Sequence, residues 1–485
     1  MNKTNLDRLF NPKRIAMIGA SANFGKWGNI ILLNILKGGF KGEIIPVNPK
    51  EKSIFGHDCY TSVGDIPGEI DMAVITTPSK FVLSLMDDLG AKKIPFAIVV
   101  TANFSEAGEK GKEEEIKLVE RAKKNGIRLV GPNTMGIFSS ESCLHALMPM
   151  LMPLHGSVSM FSQSGNVGVQ MMDYGQNENV GFAKFVSSGN EGDLTCNDYL
   201  DYFAQDKNTK VILGYIEGIE EGNRFLSSAK TASKNKPIIV MKGGRTQTGS
   251  KAAASHTGSM AGSFKINQAV FRQAGIVEAH TSLEMIDCAK AFSHYPIPKG
   301  NRVGIVTRGG GWGVLTADSC EEAGLEIPQL PEKIIKEIDK LLPDYWNRGN
   351  PVDMVATISH DPMPEIIRLL AEWDGVDSII ALGAGFRAFK IQQSTTTQFT
   401  KELKESLEFL SDIKKEAAEK PDPVLQFMSD LVKEIKKPIF SVSIGSDYAH
   451  KHIFEKYEIV SYPTPERAVR VLKHMCEYGQ YLAAL

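Results

Sequence analysis

Residues 250–263 read "SKAAASHTGSMAGS". One histidine, His256, stands among small residues with no bulky apolar neighbour to bury it. Neutral imidazole titrates near about pH 6.5, so at neutral pH it is a nucleophile able to carry a phosphoryl group. A carboxylate on the far ring nitrogen would fix the tautomer and steady the charged intermediate. The stretch "YIEGIEEG" supplies three candidates, Glu217, Glu220 and Glu221. Glu217 falls nearest the end of a predicted strand, where the sites of parallel sheets collect. By composition alone, each of the three also reads as a solvated surface acid.

Three glycine-rich turns could hold anions. "GASANFGKWGN" (19–29) follows the first predicted strand. A dinucleotide fingerprint needs G-x-G-x-x-G and an acid at the end of the second strand. Here position 21 is Ser and the second strand ends in Asn48-Pro49-Lys50. A Walker loop needs four residues between its glycines and Ser or Thr after the Lys. Here five intervene, and Trp27 follows Lys26. What remains is a helix N-terminus with Lys26 and Lys50 nearby, suited to a phosphate-bearing nucleotide whose ribose no acid reads. Coenzyme A is one such ligand. "FSQSGNVG" (161–168) fails the hydrolase pattern G-x-S-x-G because position 162 is Ser. Ser162, Ser164 and the N–H groups of Gly165 and Asn166 instead suggest an anion cup at a helix start. "TRGGGWG" (307–313) offers the same pattern through Gly309, Gly310 and Gly311. Plain strand-to-helix turns also use glycine.

The elements that must position these residues are legible. "RIAMIGA", "GEIIPVNP", "MAVITTP", "FAIVVTA" and "IRLVGPN" are near-continuous apolar runs ending in turn residues, the pattern of buried parallel strands. Helices are predicted over 79–90 and 107–125. A second α/β block begins near "GSVSMFSQSGNVG", and "YPIPKGN" reads as a linker to a third, which opens with "NRVGIVTRGGGWG". The two openings resemble each other, and "VILGYIEGI" is echoed by "IIALGAGF", which reads as an internal duplication. The expected fold is α/β, with three doubly wound parallel-sheet domains over 1–146, 150–298 and 300–485. A polar helical insertion is expected near 388–423.

At 485 residues the chain exceeds one core. A net charge of −2 gives no reason to expect a nucleic-acid or membrane surface. The six cysteines are scattered without a Cys-x-x-Cys pair, so thiols in a cytoplasmic protein are expected rather than disulfides, and no metal site. The first residues carry no apolar leader core.

The chain resembles the α subunits of NDP-forming acyl-CoA synthetases, especially ADP-forming acetate–CoA ligases, and more distantly that of succinyl-CoA synthetase. The resemblance covers most of the chain. It rests on "KGGRTQTGSKAAASHTGSMAGS", which looks like the family's phosphohistidine segment, and on "GPNTMGI", "FSQSGNVG", "SSGNEGD", "NPVD" and "YPTPERAVRVL". It implies a Rossmann-like CoA-binding domain followed by two flavodoxin-like ligase domains. It also implies that His256 is phosphorylated and supported by Glu217. Phosphate would lie on Ser162, Gln163, Ser164 and Gly165 at one helix start, and on Gly309–Gly311 at the other. Coenzyme A would run along Gly19, Ser21 and Lys26, Asn48–Lys50, Thr77, Pro78 and the loop near Glu106, with Asn133 at the acyl-phosphate site. Family members interconvert acyl-CoA, phosphate and ADP with acid, CoA and ATP. An ATP-grasp β subunit holding ADP or ATP with Mg2+ would complete an α2β2 heterotetramer acting on a small carboxylic acid and its thioester.

Two features depart from the family's pattern: Arg308, where Asn is usual, and the 388–423 insertion. The rival readings are a CoA or acyl-CoA sensor without turnover, which the intact His256 segment disfavours, and a nicotinamide oxidoreductase, disfavoured by Ser21 and Asn48. Because Ala, Ser, Thr and Gly offer little to pack, segment 246–263 is expected to swing His256 between two sites.

Overall fold

The computed structural model describes residues 6–251, 264–355, 361–384, 422–443 and 447–485. His256 and all but the end of the predicted 388–423 insertion lie outside the described residues. The chain divides into two compact units, Met1–Ala289 and Lys290–Leu485.

The first unit holds two large sheets. The first has the order β2-β1-β5-β6-β7, all parallel, from β1 (Arg14–Ile18), β2 (Glu43–Val47), β5 (Met72–Ile75), β6 (Phe96–Val99) and β7 (Arg128–Val130). A two-residue ribbon, β3 (Ser53–Ile54) with β4 (His57–Asp58), stands beside it. The five predicted apolar runs are these strands, and β5 and β6 are buried throughout. The predicted helices form as Ser79–Ala91 and Glu109–Lys124.

The second sheet has the order β14-β13-β12-β10-β11-β8-β9. Its parallel part is β10 (His155–Ser162), β11 (Phe182–Ser187), β12 (Val211–Ile216), β13 (Ile238–Lys242) and β14 (Ile276–Glu278). Its other edge is an antiparallel hairpin, β8 (Gly136–Ser139) and β9 (Leu144–Leu147). Residues 136–147 precede the predicted boundary at 146–150, yet their ladder belongs to this sheet. The hairpin also fixes the first sheet's leading helix, Trp27–Lys37. Asn34 Nδ2 donates to Leu147 O at 2.8 Å and to Pro149 O at 2.9 Å. One apolar cluster therefore runs from Leu6 through Ile31 and Phe161 to Ile276.

The second unit carries a parallel sheet of order β16-β15-β17-β18-β19, from β15 (Val303–Thr307), β16 (Val352–Asp353), β17 (Ser378–Leu382), β18 (Ile439–Val442) and β19 (Ser461–Tyr462). Helices Gly310–Glu322 and Pro465–Ala483 pack together on it. No helix among the described residues is long and apolar enough to cross a membrane.

The duplication is physical. Ser162 Oγ donates to Ser164 O, and Thr307 Oγ1 to Gly309 O at 2.8 Å. The next residue's N–H reaches the neighbouring strand in both copies: Gln163 N to Tyr215 O at 3.1 Å, Arg308 N to Leu382 O at 3.2 Å. A glycine six residues past each hydroxyl, Gly168 or Gly313, lets the helix close on it. An added Cβ would stand 3.0 Å from Ser162 Cβ or 3.1 Å from Thr307 Cγ2.

Candidate active site

The loop after β1 is built for close approach. Gly19 has φ +86°, open to glycine and strained for other residues. Gly28 lies so near that an added Cβ would stand 2.0 Å from Gly19 O. Ser21 is buried, its hydroxyl accepting from Asn23 N at 3.1 Å and its carbonyl from Asn29 Nδ2 at 2.9 Å. Asn48 ties the loops after β1 and β2 together, donating from Nδ2 to Ala20 O at 2.7 Å and accepting from Lys50 N at 2.9 Å. The position where a dinucleotide fold keeps a ribose-reading acid is thus a brace. Lys26 is the N-cap of helix Trp27–Lys37, and both Lys26 and Lys50 are exposed. A glycine cradle, a helix start and two solvent-facing ammonium groups fit a phosphate-bearing ligand such as coenzyme A.

Glu106 is turned inward. Its Oε1 accepts from Asn103 N at 2.6 Å and Phe104 N at 3.2 Å, closing its own turn. Its Oε2 accepts from Asn190 Nδ2 at 2.6 Å, and Glu115 Oε2 shares that amide at 2.8 Å. Asn133, at φ +59°, donates to Asn190 Oδ1 at 3.2 Å. Glu106 and Asn133 therefore belong to a bracing network linking the two sheets of this unit.

The first and second sheets meet at a cavity of about 480 Å³. Thr77 and Pro78 after β5 line it, as do Thr101 and Asn103 after β6, Asn133, and Gln163–Asn166 after β10. Trp27, Met135 and Met148 add apolar walls, and none of the lining residues is charged. Ser164 caps the helix Gly165–Asn177, its hydroxyl accepting from Val167 N at 3.4 Å. The N–H groups of that helix's first turn have no intrahelical acceptor, as at any helix start. An added Cβ at Gly165 would stand 2.5 Å from Met135 Cγ, so glycine keeps this end of the cavity open. Thr77 Oγ1 is buried there without a partner.

Gln163 faces elsewhere. Its Oε1 accepts from Glu217 N at 2.6 Å and Gly218 N at 3.0 Å, and its Nε2 donates to Gly218 O at 2.9 Å and Glu191 Oε2 at 3.0 Å. Both lone pairs and both hydrogens are used, leaving none for an anion. Glu217 is buried, at 9% exposure, just past β12. Burial, the Glu217 charge and a hydrogen bond to that carboxylate push Tyr215 up to about 12. Lys242 Nζ donates to Glu217 O at 2.7 Å and to Gly243 O at 2.5 Å. Burial lowers its pKa, against the attraction of Glu217. Gln163, Glu191, Asn133 and Glu217 together line a second, larger cavity of about 1080 Å³. Glu191, Tyr215 and Lys242 fall within stretches quoted above but gain a role there only through the strand order, which brings them beside Gln163 and Glu217.

In the second unit Gly309 caps helix Gly310–Glu322, and Gly311 has open space around it. An added Cβ at Gly310 would stand 2.8 Å from Asp353 Oδ2, so a carboxylate already faces this helix start. The Arg308 guanidinium is engaged with Asp361 at 2.5 Å and Gly383 O at 3.1 Å. Register pairs Ser162 with Tyr215 and Thr307 with Leu382. Two residues on stand Glu217 in one copy and Ala384 in the other, so only the first carries the acid.

His256 lies outside the described residues. The chain leading to it is anchored at Arg245, whose Nη1 meets His280 Nδ1 at 2.7 Å and whose Nη2 donates to His280 O at 2.9 Å.

Comparison with known proteins agrees with this anatomy. Residues 13–140 match the CoA binding domain family, 155–292 the succinyl-CoA ligase like flavodoxin domain, and 303–389 the Ligase-CoA domain. The α subunit of acetate–CoA ligase [ADP-forming] II from Pyrococcus furiosus is 44% identical over 78% of this chain and 82% of its own. The α subunit of enzyme I from that organism is 37% identical over 99% and 98%. Other curated relatives are longer, and this chain spans about half of them, 54% and 49% of two. A solved structure of the dinucleotide forming acetyl-coenzyme A synthetase 1 of Ca. Korarchaeum cryptofilum, in complex with phosphate and ADP, superposes with a TM-score of 0.86. It is 36% identical and covers 99% of this chain and 98% of its own. The chain belongs to the α-subunit branch of the ADP-forming acyl-CoA synthetases.

Proposed function

We propose that this chain carries out the acyl and first phosphoryl steps of an ADP-forming acid–CoA ligase. The observation that carries the reading is the cavity of about 480 Å³, where the helix start at Ser164–Asn166 faces the loops after β5 and β6. A phosphate held by the first-turn N–H groups attacks the thioester carbonyl carbon, the C–S bond breaks, and the thiolate leaves and takes a proton. His256 then attacks phosphorus, the bond to the acyl oxygen breaks, and the carboxylic acid departs as its anion. Glu217, held on its buried backbone, balances the charge that phosphorylation places on the imidazole ring. Transfer to the terminal oxygen of ADP completes the sequence and needs a nucleotide site on another subunit. That partner is of ATP-grasp type with Mg2+, in an α2β2 assembly.

Coenzyme A lies along the Gly19–Lys26 loop, with Lys26 and Lys50 at its phosphates. The acyl group occupies the uncharged cavity, so it carries no second charge, since burying an unpaired carboxylate is strongly unfavourable. The six free cysteines accord with a cytoplasmic setting. The test is thiol release from acetyl-CoA by this chain alone. With phosphate but no ADP, a burst of free thiol stoichiometric with the chain is expected. No phosphate-dependent release would return the sensor reading.

A further inference from the structure

The Gln163 carboxamide bonds the backbone at Glu217 and Gly218 from the neighbouring strand with three of its four hydrogen-bonding positions, and Glu191 Oε2 with the fourth, while Lys242 Nζ bonds Glu217 O from the other side. Two backbone N–H donors dictate which end is oxygen. The nitrogen must then point at acceptors, and the two present are Gly218 O and Glu191 Oε2. We propose that Glu191 is a positioning residue for the acid Glu217, acting only through the Gln163 carboxamide. This rests on the reading above that Glu217 supports phosphorylation of His256.

Several features separate Glu191 from an ordinary surface acid. It sits at φ +55°, in the turn after β11, a conformation that side chains other than glycine rarely adopt. That backbone turn directs its carboxyl inward, where Oε1 is buried without a hydrogen-bond partner. Burial raises its pKa to about 7, against the Ser188 hydroxyl, the Gln163 amide and the Cys196 N–H, and with the Glu220 charge adding to the rise. A group held at such a disadvantage is retained here with its Oε2 accepting from Gln163 Nε2 at 3.0 Å. The duplicate copy shows the same architecture serving another end. Arg308, at the position of Gln163, bonds Gly383 O in the loop after β17, but the residue matching Glu217 is Ala384. The clamp on the neighbouring loop is thus shared, whereas the acid and the Glu191 contact belong to the first copy.

The experiment measures the rate at which the full chain forms phosphohistidine from 32P-labelled acetyl phosphate, varying substrate to separate kcat from KM. Glu191→Met, similar in size, removes the acceptor. Glu191→Gln restores one through its amide oxygen. Gln163→Met removes the clamp. Glu191→Met should lower kcat about ten- to hundredfold with little change in KM, because a misplaced supporting group slows the step without loosening substrate. Glu191→Gln should recover most of that loss. The double variant should be no slower than Gln163→Met alone, since Glu191 acts only through Gln163. Thermal melting of each variant separates lost rate from lost fold, and a variant that does not fold is replaced by comparing Glu191→Gln with Gln163→Glu. In that second pair, two facing carboxyl groups should slow the step while Glu191→Gln does not. Additive effects of Glu191→Met and Gln163→Met, or no effect of either, would overturn the proposal. If Glu217→Gln phosphorylates at the normal rate, Glu217 is not the supporting acid. That outcome refutes the underlying reading and is distinguishable, because the clamp variants are then silent too.

Discussion

Gln163 Oε1 receives the backbone N–H of Glu217 at 2.6 Å, so the residue just before the Ser164 helix start at one strand end also holds the backbone of Glu217 at the next. The side chain that a short motif would assign to phosphate is committed to protein. What remains for phosphate at this helix start is backbone, the N–H groups after Ser164.

Gln163→Leu should therefore destabilise the chain, not merely weaken phosphate binding. It leaves Glu217 N, Gly218 N and Gly218 O without partners, at about 1–3 kcal/mol for each group that water cannot reach. Urea unfolding should show a lower midpoint with an unchanged slope. A wild-type midpoint would contradict the bonding described.

Glu191 makes stability depend on pH. Its folded pKa, about 7, lies above the unfolded value of 4.5. The folded state thus binds the proton more tightly. The contribution is fully present below the unfolded value and is lost as pH rises through about 7. At about 1.4 kcal/mol per unit, the difference reaches roughly 3 kcal/mol. Unfolding free energy from pH 4.5 to 8 should fall more steeply in wild type than in Glu191→Gln. Parallel curves would contradict the burial of this carboxyl.

Coenzyme A binding should fail by two separable routes. Gly28→Ala forces a Cβ to 2.0 Å from Gly19 O, a backbone atom that cannot rotate aside. Calorimetry should show coenzyme A binding abolished, with stability lowered by about 1–3 kcal/mol. Lys26→Ala and Lys50→Ala should leave stability unchanged and weaken coenzyme A more than phosphate-free pantetheine, with the difference shrinking at high salt. Equal losses for both ligands would move the phosphates away from these lysines.

The cavity proposed for the acyl group has no charged lining residue, and Met148 forms part of its wall. Met148→Arg should improve kcat/KM for a dicarboxylic acyl-CoA relative to acetyl-CoA by about tenfold or more, by supplying a partner for the second carboxylate. An unchanged ratio in steady-state assays with the partner subunit would place the acyl group elsewhere.

Much of this was legible in the sequence. Buried parallel strands are continuous apolar runs, so β1, β2, β5, β6 and β7 announced themselves, and the repeated strand–glycine–helix openings gave the duplication. Glu217 stands out in the sequence because strand ends of such sheets collect chemistry. The rest depends on order across the sheet, which spacing along the chain does not encode. Nothing local says that β12 lies beside β10, which is what puts Glu217 against Gln163. Glu191 lies between Gly189 and Gly192 in a turn whose spacing along the chain says nothing of where its carboxyl points. Residues 136–147 look like the end of the first domain because their partner strand, β11, comes some forty residues later along the chain.

The central claim is that a phosphoryl group rests on His256, and direct labelling tests it. The chain is incubated with 32P-labelled acetyl phosphate, digested, and the labelled peptide sequenced. The account predicts an acid-labile, base-stable label in the peptide containing residues 250–263. That label should vanish in His256→Ala and leave as ATP when ADP and the nucleotide-binding subunit are added. A label that survives in His256→Ala, or that maps to another peptide, would contradict it.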